Sequence, residues 1–194
     1  MKLQRKADSR IPRTRAAIRK AYLGLLAQKD ADAITVTDVA QAASLDRKTI
    51  YNYYASAAAI LDELENELVA KVCGAIRASD FSRWLSDPFG YLDAVTRAFD
   101  LNTDLSAPLL TRPRRTRVLD KLTERVSEQV LSFLNERVSP AKRPFTRLYA
   151  EFWTNGVASV YRDWIASGRV QPLEEVARQV RQLIESGISA LIAS

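Results

Sequence analysis

The chain has 194 residues, of which 47% are hydrophobic and 27% are charged, a composition typical of a soluble globular protein with one or two domains. It contains no histidine and one cysteine, which excludes histidine-based catalysis, zinc sites built from paired histidines or cysteines, and intrachain disulfides. The net charge of +6 lies entirely in residues 1–54, which carry 11 basic and 5 acidic residues and therefore predict a polyanionic partner, either nucleic acid or an anionic membrane surface.

The apolar residues recur with helical spacing along the whole chain, and no stretch alternates with a period of two, so an all-α fold is predicted. The first helix is expected from about Arg13 to Gln28. Its apolar face comprises Ala17, Ile18, Ala21, Tyr22, Leu25 and Leu26. Its basic residues lie around the other side: Arg13, Arg15, Arg19 and Lys20.

Two short helices are expected next. The second helix is predicted to begin at Thr37, whose hydroxyl would serve as the N-cap, and to end before Ser44. The third is predicted from Arg47 to about Tyr54, with Asp46 as its N-cap.

The rest of the chain is also expected to be helical. Ser56 can cap a long fourth helix with an apolar stripe of Ile60, Leu61, Leu64, Leu68, Val72 and Ile76. Beside this stripe, Cys73 is expected to be a buried and inert thiol, since there is no second cysteine to pair with it. Further helices are expected at about 88–102, 104–110, 114–137, 144–167 and 173–193, with Gly168 ending the penultimate one.

Residues 35–54 predict a short helix, a tight turn at residues 43–45 and a second short helix, which together form a helix-turn-helix. Ile50 and Tyr54 are four residues apart and should point inward, while Lys48 and Asn52 project from the opposite face. Lysine can bind guanine and asparagine can bind adenine in the major groove. A polar face on a short helix is more often only solvated, but the confined charge excess favours DNA binding.

The stretch from Arg13 to Leu64 resembles the N-terminal DNA-binding domain of the TetR family of transcriptional regulators. The resemblance rests on a basic amphipathic first helix, the strings TVTDVAQAA and TIYNYY, and a long apolar-striped helix. It implies a DNA-binding domain at residues 11–56, with the helix-turn-helix at 35–54. It also implies a homodimer that binds a palindromic site in double-stranded DNA. By position, it assigns DNA contacts to Thr37, Arg47, Lys48, Thr49, Tyr51, Asn52 and Tyr53, of which Arg47, Lys48 and Asn52 match variable, sequence-reading positions.

This sequence departs from the family pattern at two positions. Ser44 stands where the family usually has glycine, which costs about 1 kcal/mol if the position needs a positive φ. Ala57 stands where the family usually has a lysine that contacts phosphate. A flexible basic arm at the N-terminus is expected to compensate by reaching a groove: Lys2, Arg5, Lys6 and Arg10.

Residues 57–194 are expected to form a helical domain for dimerisation and, by the resemblance, for binding a small-molecule effector of unknown identity. The last two helices are expected to pair with their copies across a twofold axis, with interface candidates Trp153, Tyr161, Trp164, Val180, Ile184 and Ile188. Candidate pocket residues are Trp84, Phe89, Tyr91, Phe99, Phe133 and Tyr149, although aromatic residues at helical spacing are more often packed core. The arginines of the string RPRRTR are expected to be a solvated helix start rather than an anion site.

These observations predict a DNA-binding transcriptional regulator without a cofactor, acting as a repressor that an effector releases. A regulator without an effector is the alternative within this class. An enzyme is not predicted, because no nucleophile–base pair or carboxylate cluster stands out. A membrane-surface protein using its basic first helix is a third alternative, disfavoured because that helix has an alanine-rich apolar face needed for packing. The chain has neither a secretion signal nor a run of about 18 apolar residues, so a cytoplasmic location is expected.

Overall fold

The computed structural model describes residues 2–78, 94–98, 100–110 and 117–192, and this part of the chain is helical, without a β-strand. The helices are α1 (Lys2–Leu26), α2 (Val36–Ala43), α3 (Arg47–Tyr51), α4 (Ala57–Ala78), α5 (Thr103–Leu110), α6 (Val118–Arg137), α7 (Thr146–Ala166) and α8 (Leu173–Ile192). Short 3₁₀ helices lie at Ala31–Ala33 and Pro140–Phe145, and residues 94–98 are also helical. The predicted all-α fold is confirmed.

The chain divides into two compact units. The first comprises Met1–Glu67 and Asp104–Thr116, and the second comprises Leu68–Thr103 and Arg117–Ser194. The division therefore falls inside α4, whereas the sequence places the functional domain boundary just before this helix. Most of α5 belongs to the first unit, although it follows α4 in the chain by 24 residues.

The core of the first unit forms where the apolar faces of its helices meet. Its most deeply buried side chains come from each of the first four helices: Ile18, Tyr22, Leu26, Val39, Ile50, Ile60 and Leu64. Within α1 and within α4 these residues are four apart, which places them on one inward face of the helix. The fourth-helix stripe is buried as predicted at five positions, while Leu61 is half-buried.

The helix boundaries near the N-terminus differ from those expected. Helix α1 extends through Pro12 back to Lys2, so residues 2–10 are helical rather than a flexible arm. Proline inside a helix removes one backbone hydrogen bond and crowds the preceding turn. Residues on both sides of Pro12 nevertheless keep the helical conformation. Helix α1 ends at Leu26, two residues earlier than expected, and α3 ends at Tyr51 rather than near Tyr54.

The N-cap of α2 is Thr35, so the prediction of Thr37 is wrong. The Thr35 hydroxyl accepts a hydrogen bond from the Asp38 N–H at 3.2 Å, and the Asp38 carboxylate accepts the Thr35 N–H at 2.8 Å. This reciprocal capping box satisfies two backbone donors at once. Thr37 cannot form it, because the acidic residue would have to lie at position 40.

The predicted caps of the later helices are confirmed. Asp46 accepts the Thr49 N–H at 2.7 Å, and the Ser56 hydroxyl accepts the Ala59 N–H at 3.1 Å. Gly168 has a φ of +81° just after α7, where a left-handed residue returns hydrogen bonds to the last turn. This position suits glycine because a Cβ atom makes positive φ unfavourable.

Helices α6 and α7 form the centre of the second unit as an antiparallel pair. Asp120 at the start of α6 bonds Arg162 near the end of α7 at 3.0 Å, and Asn135 near the end of α6 bonds Thr146 at 2.7 Å. The helices begin at Val118 and Thr146, slightly later than predicted. The α6 face towards the core repeats every four residues: Val118, Leu122, Val126, Val130 and Leu134.

Candidate nucleic-acid interface

Helix α3 has one buried face and one exposed face, as the sequence predicts. Ile50 is 0% exposed and Tyr54 is 5% exposed, so both side chains point inward. The opposite face consists of Arg47, Lys48, Tyr51 and Asn52, which are all exposed, while Thr49 and Tyr53 are half-buried beside it. The fold thus gathers six of the seven predicted DNA-contacting residues on and just after one short helix.

The turn before α3 sets the direction of this helix. Ser44 has φ 54° and ψ 43°, so this position does adopt the left-handed conformation in which serine is less favourable than glycine. The Leu45 N–H donates to the Ala40 carbonyl at 2.9 Å, and the Ser44 N–H donates to the Gln41 carbonyl at 3.2 Å. These two hydrogen bonds close the end of α2 and make a compact turn possible with serine in place of glycine.

Thr37 is exposed and occupies the second position of α2. Within the part of the chain that the structure describes, the N–H groups of Val36 and Thr37 have no acceptor. Such free N–H groups at a helix N-terminus can bind a phosphate oxygen, helped by the helix dipole. Thr37 is therefore suited to a phosphate contact although it is not the N-cap.

The acidic side chain in the same turn is already paired. Lys29 Nζ lies 2.8 Å from the Asp38 carboxylate. Hydrogen bonds from Lys29, and then from Thr35, lower the pKa of Asp38 to about 2. Lys29 thus partly neutralises the negative charge of Asp38. This matters because a phosphate at Thr37 would lie in the same helical turn.

Part of the basic excess of the first 54 residues is neutralised within the first unit. Arg15 forms an ion pair with Glu63 of α4, and Arg19 forms one with Glu67. Arg47 and Lys48, in contrast, form no ion pair with any residue of the described ranges. The charge available to a polyanion is therefore smaller than the sequence arithmetic implies, and it includes Arg47 and Lys48 of α3.

These ion pairs are not predicted from the sequence. The only signal for them is that Arg15 and Arg19 are four residues apart, as are Glu63 and Glu67. Matched spacing of this kind places each pair on one face of its helix. It does not reveal that the two faces meet, because the partners lie 48 residues apart in the chain.

The apolar face of α1 is occupied by the core. Ile18 and Tyr22 are 0% exposed, and Leu26 is 2% exposed. A helix that binds a membrane surface must offer apolar side chains to lipid, and these three are already buried in the first unit. Among the described residues, no helix combines the length and the hydropathy needed to cross a bilayer.

The predicted effector pocket falls largely outside the described residues. Trp84, Phe89, Tyr91 and Phe99 lie outside them, as does the side chain of Phe133, and Tyr149 is half-buried on α7. A separate open cleft of about 440 Å³ lies between α6 and α7. Its described lining is mostly polar and charged: Asp120, Thr123, Glu124, Ser127, Glu128, Leu131, Arg147, Ala150, Glu151, Asn155 and Arg162.

The predicted dimer-interface residues divide into three groups. Tyr161, Trp164 and Val180 are buried within the protomer, and Trp153 is half-buried. The side chains of Ile184 and Ile188 lie outside the described part. Burial raises the pKa of Tyr161 to about 12, and its hydroxyl lies 3.1 Å from that of Thr96.

Other apolar side chains on the same helices are exposed. Phe145 precedes α7, and Leu148, Phe152 and Val160 lie on it, with exposed fractions of 52%, 61%, 71% and 38%. On α8, Leu183 is 71% exposed. Their spacing along α7 of three, four and eight residues was visible in the sequence, but it did not distinguish an outer apolar face from an inner one.

Two family models match the chain. One, described as "Bacterial regulatory proteins, tetR family", covers residues 18–64. The other, described as "Transcriptional regulator C-terminal region", covers residues 87–186, which is more than half of the chain. The first contains α2, α3 and the turn between them, and the second contains α6 and α7.

Individual proteins are similar as well. The "Uncharacterized HTH-type transcriptional regulator YxbF" of Bacillus subtilis (strain 168) is 34% identical over 74 residues, which are 38% of this chain and only 18% of that relative. The solved structure "Dihydroxyacetone kinase operon activator DhaS" is 18% identical with a TM-score of 0.53, covering 92% of this chain and 98% of that one. The TetR family repressor AlkX from Dietzia sp. strain DQ12-45-1b is 20% identical with a TM-score of 0.42, covering 93% and 98%. The likeness to DhaS shows the fold. The two family models show that this chain belongs to the TetR family of bacterial transcriptional regulators.

Proposed function

We propose that the chain is a homodimeric DNA-binding repressor that inserts α3 into the major groove of a palindromic operator. The observation that carries this proposal is the division of α3 into a buried face at Ile50 and an exposed face. On the exposed face, Arg47 and Lys48 lie beside Asn52 and form no ion pair within the described part of the chain. A rigid short helix with this division can present its side chains to base edges while its back stays packed.

Each exposed residue has a role that its chemistry suits. Lys48 and Asn52 are proposed to read base edges, because lysine donates to guanine and asparagine pairs with adenine through two hydrogen bonds. Arg47, Thr49, Tyr51 and Tyr53 can reach phosphates or the neighbouring bases. Thr37 and the free N–H groups beside it are proposed to hold the phosphate backbone, which fixes the position of α3 in the groove.

Substitutions on α3 test this proposal against a selected duplex and its point-mutated versions. Asn52→Ala should lower discrimination at one base pair of each half-site by about 1–3 kcal/mol, since one bidentate contact is lost. Asn155→Ala is the matched control, because Asn155 is an exposed helical asparagine on α7. An equal loss of affinity on all duplexes would make Asn52 a phosphate contact and would contradict its reading role.

Dimerisation is proposed because one short reading helix makes too few contacts for tight specific binding. The proposed interface uses the exposed apolar residues Phe145, Leu148, Phe152 and Val160, with Leu183 of α8. A patch of this kind on a folded protomer is typical of a protein–protein contact. Tyr161, Trp164 and Val180 then support the interface from inside the protomer rather than touching the partner.

Sedimentation measurements test this interface. Phe152→Glu places a charge in the middle of the patch and should convert a dimer into a monomer. Val170→Glu is the control, because Val170 is 77% exposed but lies in the turn between α7 and α8. A monomeric natural chain, or a dimeric Phe152→Glu variant, would contradict the proposed interface.

The proposal assigns residues 11–56 to DNA binding and residues 57–194 to dimerisation and effector binding, with the protein acting in the cytoplasm. An effector would favour a dimer whose reading helices no longer match successive major grooves. Release of a bound duplex by small molecules from a chemical library tests this part. A reporter placed behind the selected operator tests repression, and loss of reporter output on deleting the protein would indicate activation, as the name of DhaS states for that protein.

A further inference from the structure

Three elements of the first unit meet at the hydroxyl of Tyr54. Arg15 of α1 donates from Nε to this hydroxyl at 3.2 Å, and the hydroxyl donates to Glu63 Oε1 of α4 at 3.0 Å. Arg15 also donates directly to Glu63, from Nε to Oε1 and from Nη2 to Oε2. Tyr54 itself lies in the short connection between α3 and α4, so the cluster joins α1, this connection and α4.

Tyr54 is also joined to α3 through its backbone. Its N–H donates to the Ile50 carbonyl at 3.0 Å, and its side chain is 5% exposed. Asn52 lies between these two buried residues, on the exposed side. A shift of the Tyr54 ring would therefore move the end of α3 that carries Asn52 and Tyr51.

Arg15 is engaged in this cluster, although the charge count from the sequence included it among the cations available to a polyanion. The hydrogen bonds that Arg15 donates to Glu63 and Tyr54 raise its pKa. Its side chain is half exposed, yet both oxygens of Glu63 and the Tyr54 hydroxyl accept from it. Lys20, on the same helix, forms no ion pair with any residue of the described ranges and is exposed.

We infer that Arg15, Tyr54 and Glu63 are positioning residues that set the orientation of α3, and thereby discrimination between DNA sequences, without touching DNA. This inference rests on the proposed function, in which α3 reads base edges. Arg15 acts in it as a fixed internal cation. Arg19 lies beside this network, because its Nη1 is 3.5 Å from Glu63 Oε1. The ion pair of Arg19 with Glu67 joins α1 and α4 without involving the Tyr54 hydroxyl.

Binding to a selected duplex and to a scrambled duplex at several salt concentrations tests the inference. Tyr54→Phe keeps the buried ring and removes the hydroxyl, and Glu63→Ala removes the acceptor. Each should weaken binding to the selected duplex by about three- to tenfold, the effect of one or two lost hydrogen bonds. Affinity for the scrambled duplex and the slope of log affinity against log salt should stay at natural values, because no phosphate contact is lost.

Glu67→Ala is the matched control, since Glu67 forms the same kind of ion pair one turn further along α4. It should leave discrimination unchanged, and Glu63→Gln should restore part of the loss because its side-chain oxygen still accepts from Tyr54. An equal loss of discrimination in Glu67→Ala would overturn the inference. So would an Arg15→Gln variant that loses affinity on both duplexes with a shallower salt slope, which would identify Arg15 as a phosphate contact.

Amide hydrogen exchange in the DNA-free protein gives a second readout. Tyr54→Phe should speed exchange at residues 50–54 severalfold, while Glu67→Ala should not. If the natural chain bound no duplex at all, the proposed function would fail, and the exchange rates would still decide whether the network orders α3. Unchanged exchange at residues 50–54 in Tyr54→Phe would overturn the inference by itself.

Discussion

Asp46 holds Thr49 through two hydrogen bonds, accepting the backbone N–H at 2.7 Å and the side-chain hydroxyl at 2.8 Å. The first bond caps α3, and the second fixes the rotamer of a residue on the edge of the proposed reading face. Because α3 has only five residues, its formation depends on this cap and on the burial of Ile50 more than on helix propensity.

Removing this cap should destabilise the chain. Asp46→Ala is expected to lower the free energy of unfolding by about 1 kcal/mol, the usual cost of losing an N-cap, while Asp46→Asn should cost less because asparagine also caps. Urea denaturation measures the change. Asp163→Ala, at an exposed position on α7, is the control, and equal stabilities of the Asp46 and Asp163 variants would contradict the capping role.

Acid should weaken the caps of α2 and α3. Hydrogen bonds lower the pKa of Asp38 to about 2, chiefly from Lys29, and lower the pKa of Asp46, chiefly from the Thr49 hydroxyl. A carboxyl whose pKa is lower in the folded state stabilises it above the unfolded pKa of about 3.9, and this contribution is lost as the pH falls towards the folded value.

The melting temperature measured from about pH 5 down to about pH 2 tests this dependence, since that window includes the unfolded-state pKa of aspartate. The natural chain should lose stability more steeply than Asp38→Asn, in which this carboxyl no longer titrates. Asp163→Asn, at an exposed position on α7, is the comparison for the replacement of one aspartate by asparagine. Parallel curves for the natural chain and Asp38→Asn would exclude this source of acid sensitivity.

Ser44 should be replaceable by glycine with a gain in stability. Its φ of 54° is costly for a residue with a Cβ atom, so Ser44→Gly is expected to raise the free energy of unfolding by about 1 kcal/mol. Ser44→Ala removes the hydroxyl but keeps the Cβ, and it should give no gain. A loss of stability in the glycine variant would mean that the serine hydroxyl matters more than the backbone strain.

Tyr22 offers a second stabilising substitution. Within the described residues its hydroxyl is buried without a hydrogen-bond partner, and burial raises its pKa to about 12. An unsatisfied buried hydroxyl costs about 1–3 kcal/mol, so Tyr22→Phe should raise stability by a part of that amount. Tyr161→Phe is the contrasting control, because it loses the hydrogen bond to Thr96 and should lower stability. A destabilised Tyr22→Phe would reveal a partner for this hydroxyl.

Local features of the sequence predicted several helix ends in both units. Asp46, Ser56 and Gly168 lie where their side-chain or backbone chemistry indicates, since a cap depends on residues within one helical turn. The correct N-cap of α2 was also visible in the local sequence, because Thr35 and Asp38 have the spacing of a capping box.

Contacts between side chains of different helices could not be predicted from the sequence. The Arg15–Glu63 pair requires α1 and α4 to lie side by side, and periodicity within either helix does not specify that. On α7, aromatic residues occur on both sides of the helix. Spacing alone could not show that Tyr161 and Trp164 face the core while Phe152 faces outward.

Selection of bound duplexes from a random pool, with the mass of the complex determined on the enriched sequence, tests the central claim most directly. The account predicts a palindrome with two equal half-sites whose centres are separated by about 34 Å or a multiple of it, bound by at least one pair of chains. Failure to enrich any sequence at moderate ionic strength, from a protein that stays monomeric, would contradict it.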